Sequence, residues 1–147
     1  MTKKKSSVIS FEGFSFQYRA QKKPTLTGIN LNIYPGEKVL IAGPSGSGKS
    51  TLAGCINGLN PFSNPGESTG KLIVDGVDAM HSSIFELSAH VGTVLQDPDG
   101  QFIGLTVGED IAFALENGCT PQDKMHEITK HAAELVGIEN HLDYADR

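Results

Sequence analysis

The stretch at residues 43–51, GPSGSGKST, constrains this chain more than any other feature. It fits the phosphate-binding loop pattern G-x-x-x-x-G-K-[ST]. The fixed positions of that pattern are filled by Gly43, Gly48, Lys49 and Ser50. The apolar run at 38–42 predicts a buried strand before the loop. Apolar residues at helical spacing over 52–59 predict an amphipathic helix after it. The sequence therefore predicts a strand–loop–helix unit, which is typical of α/β proteins.

The residue types in this loop suit a nucleoside triphosphate. A helix N-terminus presents unpaired N–H groups and about half a positive charge. Glycines let the backbone curl so that successive N–H groups point inward. We expect Lys49 to reach the β- and γ-phosphates, Ser50 to bind Mg²⁺ through its hydroxyl, and Thr51 to lie near the α-phosphate. The expected nucleotide contacts are Gly43, Pro44, Ser45, Gly46, Ser47, Gly48, Lys49, Ser50 and Thr51.

Composition limits the classes of protein to which the chain can belong. Its 147 residues, 38% of them hydrophobic, are enough for one globular domain with a core. The longest apolar run, at 111–115, is too short to span a bilayer. Residues 1–49 hold eight Lys or Arg and two acids, whereas residues 50–147 hold four and fifteen. The acidic part argues against nucleic acid as a partner, and two distant cysteines indicate a reducing compartment.

Hydrophobic periodicity predicts the remaining strands. Alternation predicts antiparallel strands at 8–11, 14–18 and 30–33, with Phe14 and Phe16 in the core. Short apolar runs predict further strands at 71–74 and 91–95. The segment at 60–70, with two prolines and two glycines, is interpreted as a loop.

Helical signals dominate after residue 102. Thr106 and Glu109 have the spacing of a capping box, so a helix should begin there. Thr120 as an N-cap and Pro121 as a first-turn residue predict a second helix, which Gly137 should end. The apolar face expected for this helix consists of Met125, Ile128, Ala132, Leu135 and Val136.

Four stretches together resemble the N-terminal part of an ATP-binding cassette, the motor subunit of ABC transporters. These stretches are FSFQY, GINLNIYPGEKVLIAGPSGSGKSTL, TGKLIVDG and VGTVLQDPDGQFIGLTVGEDIAFALEN. More narrowly, QDPDGQF resembles the ATPase subunits of energy-coupling-factor importers. The resemblance implies an α/β fold: a P-loop NTPase core with an N-terminal antiparallel β subdomain and the start of a helical subdomain. The partial nucleotide-binding domain would span 1–147, with the β subdomain and core at 1–101 and the helical part at 102–147.

The resemblance also implies roles for two residues outside the loop. Tyr18 matches the aromatic residue that stacks on adenine; the alternative is a half-buried core tyrosine. Gln96 matches the glutamine that binds magnesium or orients the attacking water; the alternative is a solvated loop residue. The implied catalytic residues are Lys49 and Gln96, and the implied metal ligands are Ser50 and Gln96. The implied cofactors are ATP and Mg²⁺.

The family implies partners and a location. Two cassettes would pair, as a homodimer or a heterodimer, beneath an integral membrane subunit at the cytoplasmic face of the cell membrane, and would drive solute uptake. The family's LSGGQ-like signature, Walker B aspartate, catalytic glutamate and switch histidine are not in this sequence. We therefore interpret the chain as an N-terminal fragment, inactive alone and poorly soluble because a sheet strand is missing.

Two alternatives stay open from the sequence. Residues 72–75, Leu-Ile-Val-Asp, have the outline of a Walker B strand, so Asp75 could serve a small P-loop kinase. The Asp75–Gly76 pair favours a tight hairpin turn instead. The second alternative is a non-catalytic fragment that pairs with another cassette.

Overall fold

The computed structural model describes residues 6–96 and 99–145. These residues form two compact units, of which the first ends at Thr93 and the second begins at Val94. The predicted phosphate-binding loop lies in the first unit.

A four-stranded antiparallel sheet with the order β2-β1-β3-β4 forms the frame of the first unit. Its strands are β1 (Ile9–Tyr18), β2 (Leu26–Ile33), β3 (Gly66–Val74) and β4 (Val77–Asp78). The predicted N-terminal antiparallel sheet is therefore confirmed. The prediction of two separate strands at 8–11 and 14–18 is wrong, because both segments belong to the one continuous strand β1.

A bulge at Gly13 explains why β1 reads as two strands in the sequence. The register with β2 shifts between Phe11 and Phe14, and Gly13 has φ 56°, which glycine adopts without steric cost. The extra residue changes the alternation, so Phe11, Phe14 and Phe16 all face the core, each at most 1% exposed. The predicted burial of Phe14 and Phe16 is confirmed.

The third strand begins earlier than its sequence suggests. β3 starts at Gly66, inside the segment predicted as a loop, because it pairs with β1 as far as Tyr18. At its other end, Asp75 (φ 47°) and Gly76 (φ 85°) form the two-residue turn into β4. Two positive φ values are the geometry of the hairpin turn that an Asp-Gly pair favours. The predicted hairpin is confirmed.

Three helices complete the first unit. They are α1 (Lys49–Ile56), α2 (Leu59–Phe62) and α3 (Ile84–Ser88). Helix α1 follows the phosphate-binding loop as predicted, and it buries Leu52 and Cys55 in the core. The other buried apolar residues of this core are Phe11, Phe14, Phe16, Leu26, Leu72, Val74, Ala79 and Leu87.

The strands predicted at 38–42 and 91–95 do not form. Within residues 6–96 and 99–145, β pairing is confined to β1–β4 and one isolated bridge between Thr106 and Ala145. Both runs have the continuous apolar character of buried parallel strands, but no neighbouring strand pairs with them. Much of their apolar surface is consequently exposed: Leu40 is 90% and Val94 is 87% exposed, although Val91 packs against the core.

The second unit is helical. It contains α4 (Val107–Asn117), α5 (Gln122–Val136) and 3₁₀ turns at Asp99–Gln101 and Glu139–His141. The Thr106 hydroxyl caps α4 by accepting a hydrogen bond from the Glu109 N–H at 3.3 Å. The Glu109 carboxylate in turn accepts one from the Leu105 N–H at 2.6 Å. The predicted capping box is thus confirmed, with the return bond shifted by one residue.

The ends of α5 are close to their predicted positions. Its N-cap residue is Pro121 rather than Thr120, and no side chain caps it, so the predicted threonine cap is wrong. Gly137, at φ 77°, ends the helix in the left-handed conformation, as predicted. None of the described helices combines the length and the apolar character that crossing a bilayer requires.

The buried face of α5 differs from the predicted one. Thr129 and Ala133, one helical turn apart, are its buried residues. Ile128, Leu135 and Val136, predicted to be apolar-face residues, are 44%, 73% and 70% exposed. The face of α5 that packs against the rest of the unit is the one with Thr129 and Ala133, which have small side chains. Which face of a helix is buried depends on its tertiary neighbours, and sequence periodicity alone does not identify them.

Candidate functional site

Glycine geometry shapes the loop that precedes α1. Gly46 and Gly48 have φ values of 79° and 92°, a region that residues with a side chain rarely adopt. A Cβ atom on Gly48 would lie 3.0 Å from the Leu26 Cδ2 atom and 3.2 Å from the Thr25 carbonyl oxygen. Gly48 is therefore required both for its backbone conformation and for the close approach of β2.

The first turn of α1 is open to an anion. Gly48 is its N-cap residue and brings no side chain that could accept hydrogen bonds from the first turn. The helix begins with Lys49, Ser50 and Thr51, none of which is acidic. A helix start with uncapped N–H groups and no competing carboxylate favours a bound anion.

The Lys49 side chain folds back over the loop. Its ammonium donates to the Gly43 carbonyl at 2.9 Å, to the Pro44 carbonyl at 2.8 Å and to the Ser47 hydroxyl at 3.5 Å. These acceptors are neutral, so the positive charge has no carboxylate partner among them. Ionised acceptors form stronger hydrogen bonds than neutral ones. Phosphate oxygens would therefore compete well for this ammonium.

A cavity of about 470 Å³ adjoins the loop at Gly46 and Ser47. Its other wall is the connection between β1 and β2, residues 21–25, which includes Lys22 and Lys23. These two lysines add positive charge beside the loop, and motif reasoning missed them. The excess of basic residues in the first third of the sequence was the available signal.

Tyr18 is held against the start of α1. Its hydroxyl donates a hydrogen bond to the Thr51 Oγ1 atom at 3.0 Å. Its ring packs edge-to-face on Phe16, with ring centroids 4.9 Å apart. The side chain is half-buried, so the polar tip is anchored inside the protein. The structure thus brings the predicted aromatic residue and the first turn of α1 together.

A buried amide, that of Asn60, completes this arrangement. Asn60 is 1% exposed, and its amide NH₂ donates to the Tyr18 hydroxyl at 3.2 Å and to the Thr51 carbonyl at 3.1 Å. Its amide oxygen accepts from the Asn64 amide at 3.0 Å. Sequence reasoning missed Asn60, because it lies in the segment interpreted as a loop. We name Tyr18, Thr51, Asn60 and Asn64 the tyrosine–asparagine network.

Helix α1 leaves space for the Asn60 side chain. A Cβ atom on Gly54 would lie 2.6 Å from the Asn60 amide nitrogen, so only glycine fits there without displacement. The neighbouring Cys55 is fully buried. Burial raises the pKa of its thiol to about 12, and a hydrogen bond with Asn60 opposes this shift. Cys55 is therefore a protonated core residue at neutral pH.

Gln96 lies in the second unit, at an exposed bend. The preceding residue, Leu95, donates its N–H to the Gln101 side-chain oxygen at 3.1 Å. The following residue, Asp97, lies outside the described residues. The predicted contribution of Gln96 to the nucleotide site stays a prediction.

Asp75 does not have the surroundings of a metal ligand beside the phosphate-binding loop. It lies in the β3–β4 turn, where its N–H donates to the Val8 carbonyl at 2.7 Å. Its carboxylate is 2.8 Å from the His90 Nδ1 atom. The structure therefore supports the hairpin interpretation of Asp75 rather than the kinase alternative.

The sequence pattern of the ABC transporter family matches residues 26–146. A Clostridium perfringens protein named as an ABC transporter ATP-binding protein is 58% identical over 141 residues, which cover 96% of this chain and 25% of that protein. A Bacillus thuringiensis protein with the same description is 60% identical over 131 residues, covering 89% and 23%. The chain thus spans about a quarter of the length of these relatives.

A solved structure shows the same architecture. It is that of CbiO1 from Clostridium perfringens, described as part of the ABC transporter complex CbiONQ. The TM-score is 0.78 at 30% sequence identity, and the match covers 95% of this chain and 54% of that one.

Proposed function

This chain belongs to the ABC transporter family, and we propose that it binds magnesium-bound ATP as part of an ATP-hydrolysing transporter subunit. The observation that carries the proposal is the Lys49 ammonium, held over a glycine loop against neutral acceptors at the uncapped start of α1. A lysine ammonium beside a glycine-rich loop, at a helix start that no side chain caps, suits a polyphosphate.

Each site residue has a distinct role in this proposal. Lys49 would bind the β- and γ-phosphates, and the N–H groups of loop 43–48 would surround them. The hydroxyl of Ser50 and the amide of Gln96 would hold Mg²⁺, and Gln96 would also orient the attacking water. Thr51 would lie near the α-phosphate, and Tyr18 would stack on adenine.

We further propose that the subunit is of the energy-coupling-factor type and powers solute uptake. The likeness to CbiO1, which is described as part of a transporter complex, supports this proposal. The partners would be a second ATPase subunit, identical or different, and an integral membrane subunit. This chain would lie against that subunit at the cytoplasmic face of the cell membrane. Residues 1–101 would form the β subdomain and core, and residues 102–147 would begin the helical subdomain.

Hydrolysis needs more groups than this chain provides. Phosphoryl transfer depends on positioning and on charge stabilisation around the transferred group. Lys49 supplies charge and Gln96 would supply orientation, but the sequence holds no signature motif and no Walker B aspartate followed by a glutamate. We therefore propose that these 147 residues bind ATP without turning it over. A sustained magnesium-dependent ATPase rate from the purified chain would contradict this.

Calorimetric titration of Lys49→Ala with magnesium-bound ATP tests the proposal. Loss of a charge-assisted contact of about 1.5–3 kcal/mol should weaken binding by roughly ten- to a hundredfold. The control is Lys71→Ala, which removes an equal charge from an exposed position on β3. Equal affinities for the Lys49 variant, the Lys71 variant and the unchanged chain would refute the proposed site.

A further inference from the structure

We propose that Asn60 is a positioning residue that sets the preference of this site for a triphosphate that carries a base. This inference rests on the proposed ATP site and concerns how the adenine platform is held. Among the described residues, the side chain of Asn60 forms hydrogen bonds with Tyr18, Thr51, Asn64 and Cys55. The loop groups that accept from Lys49 are different ones, on Gly43, Pro44 and Ser47.

Each polar group of the Asn60 amide has a hydrogen-bond partner. Both N–H groups donate, one to the Tyr18 hydroxyl and one to the Thr51 carbonyl, while the oxygen accepts from Asn64. A buried amide with every group paired has one favourable orientation, because any rotation leaves a polar group unsatisfied. The side chain is therefore a rigid link between β1 and the first turn of α1.

The backbone also restrains Asn60. It has φ −112° and ψ 123°, an extended conformation that interrupts the short helix α2. The following residue is Pro61, and a residue before proline is restricted to extended geometry. The missing Cβ at Gly54 provides the space into which the amide fits. Two features of the sequence therefore direct this amide inward: Pro61 restricts the Asn60 backbone, and Gly54 leaves the volume that the amide occupies.

The consequence falls on Tyr18. Its hydroxyl donates to Thr51 and accepts from Asn60, so two bonds to two different elements hold the ring. With only one of these bonds, the ring could rotate about the remaining contact. A platform that is already in place costs less conformational freedom when a base stacks on it. Asn60 bonds Thr51 at its carbonyl oxygen and not at its N–H or hydroxyl, so loss of Asn60 should weaken binding of the base much more than binding of the phosphates.

The test compares two ligands, magnesium-bound ATP and magnesium-bound inorganic tripolyphosphate, by calorimetry on the full chain. The quantity of interest is the ratio of their affinities. A loss of folded protein lowers both affinities equally and leaves the ratio unchanged. Displacement of Tyr18 lowers the affinity for ATP more than the affinity for tripolyphosphate, so the ratio falls. In Asn60→Ala we expect the ratio to fall roughly fivefold, the value of one net hydrogen bond to Tyr18. In Tyr18→Phe, which removes both bonds of the hydroxyl, the ratio should fall at least as far.

A double variant and a control make the test specific. If Asn60 acts through the tyrosine hydroxyl, Asn60→Ala should change the ratio less than about twofold in the Tyr18→Phe background. The control is Asn57→Ala, which removes an amide that is bonded to Thr93 and to the Leu59 N–H but not to Tyr18. This control should leave the ratio unchanged.

The outcomes separate the two proposals. If the unchanged chain binds neither ligand, the proposed ATP site fails, and this inference fails with it. If it binds both but Asn60→Ala keeps the original ratio, or if the two substitutions act additively, only the inference fails. If Asn60→Ala does not fold, Tyr18→Phe decides alone, since it removes a single oxygen, and an unchanged ratio there overturns the inference.

Discussion

Replacement of Gly54 by alanine tests how firmly the tyrosine–asparagine network is held. In an ordinary helix, this change stabilises by about 1 kcal/mol, because alanine has the higher helix propensity. Here the new Cβ would lie 2.6 Å from the Asn60 amide nitrogen and must displace it. Two hydrogen bonds of about 1 kcal/mol each would be lost, and an unsatisfied buried amide adds about 1 kcal/mol or more. The expected net loss of unfolding free energy is therefore about 2 kcal/mol.

Urea unfolding of three variants measures this balance. Ala53→Gly, on the exposed side of the same helix, reports the propensity contribution alone and should cost about 1 kcal/mol. Gly54→Ala should cost about 2 kcal/mol in the otherwise unchanged chain. In the Asn60→Ala background, the same change should become stabilising, because the amide that blocks the Cβ is gone. A stabilising effect of Gly54→Ala in both backgrounds would refute the reasoning.

Further predictions concern the loop before α1, the buried thiol of Cys55 and the exposed apolar run at 38–42. Gly48→Ala should lower the unfolding free energy by about 1–3 kcal/mol and weaken ATP binding, because alanine is strained at a φ of 92°. The control Gly92→Ala, whose new Cβ would have no heavy atom within 4 Å, should change neither quantity. If the two variants have the same unfolding free energy in urea and the same ATP affinity in calorimetry, the reasoning is wrong. With iodoacetamide at about pH 8, Cys119 should react and Cys55 should not until urea unfolds the chain, which mass spectrometry can count. Because the folded pKa of Cys55 is raised from 9.0 to about 12, its thiol should contribute stability below pH 9 that is lost as the pH rises toward 12, and Cys55→Ala should lack this loss. Leu40→Thr should change the unfolding free energy by less than about 0.5 kcal/mol, because Leu40 is 90% exposed, and it should raise solubility. A larger loss of unfolding free energy in urea would mean that the Leu40 side chain is packed against other residues.

Local signals predicted the features that depend on neighbours in sequence. The capping box at Thr106, the Asp75–Gly76 turn and the end of α5 at Gly137 each need only a few adjacent residues, and each is present. The left-handed glycines of loop 43–48 and the start of α1 at Lys49 are of the same kind, since they depend on residues within a few positions of each other. These features could be predicted because their physical cause lies inside a short window.

Features that depend on distant partners were missed. Asn60 pairs with Tyr18 across 42 residues, and nothing in the segment around it indicates that its amide is buried. The strand predicted at 38–42 fails for the same reason, because strand formation requires a neighbour that the apolar pattern cannot supply. The bulge at Gly13 likewise became visible only through the register with β2.

The most direct test is an amide NMR titration of the folded chain with magnesium-bound ATP. If the loop N–H groups and the Lys49 ammonium at the start of α1 bind the phosphates, the amide signals of residues 46–51 should shift before the others. Their shifts should reach a plateau as the ATP concentration rises. A folded sample whose amides in that segment stay unmoved, while ATP is in large excess, would contradict the account.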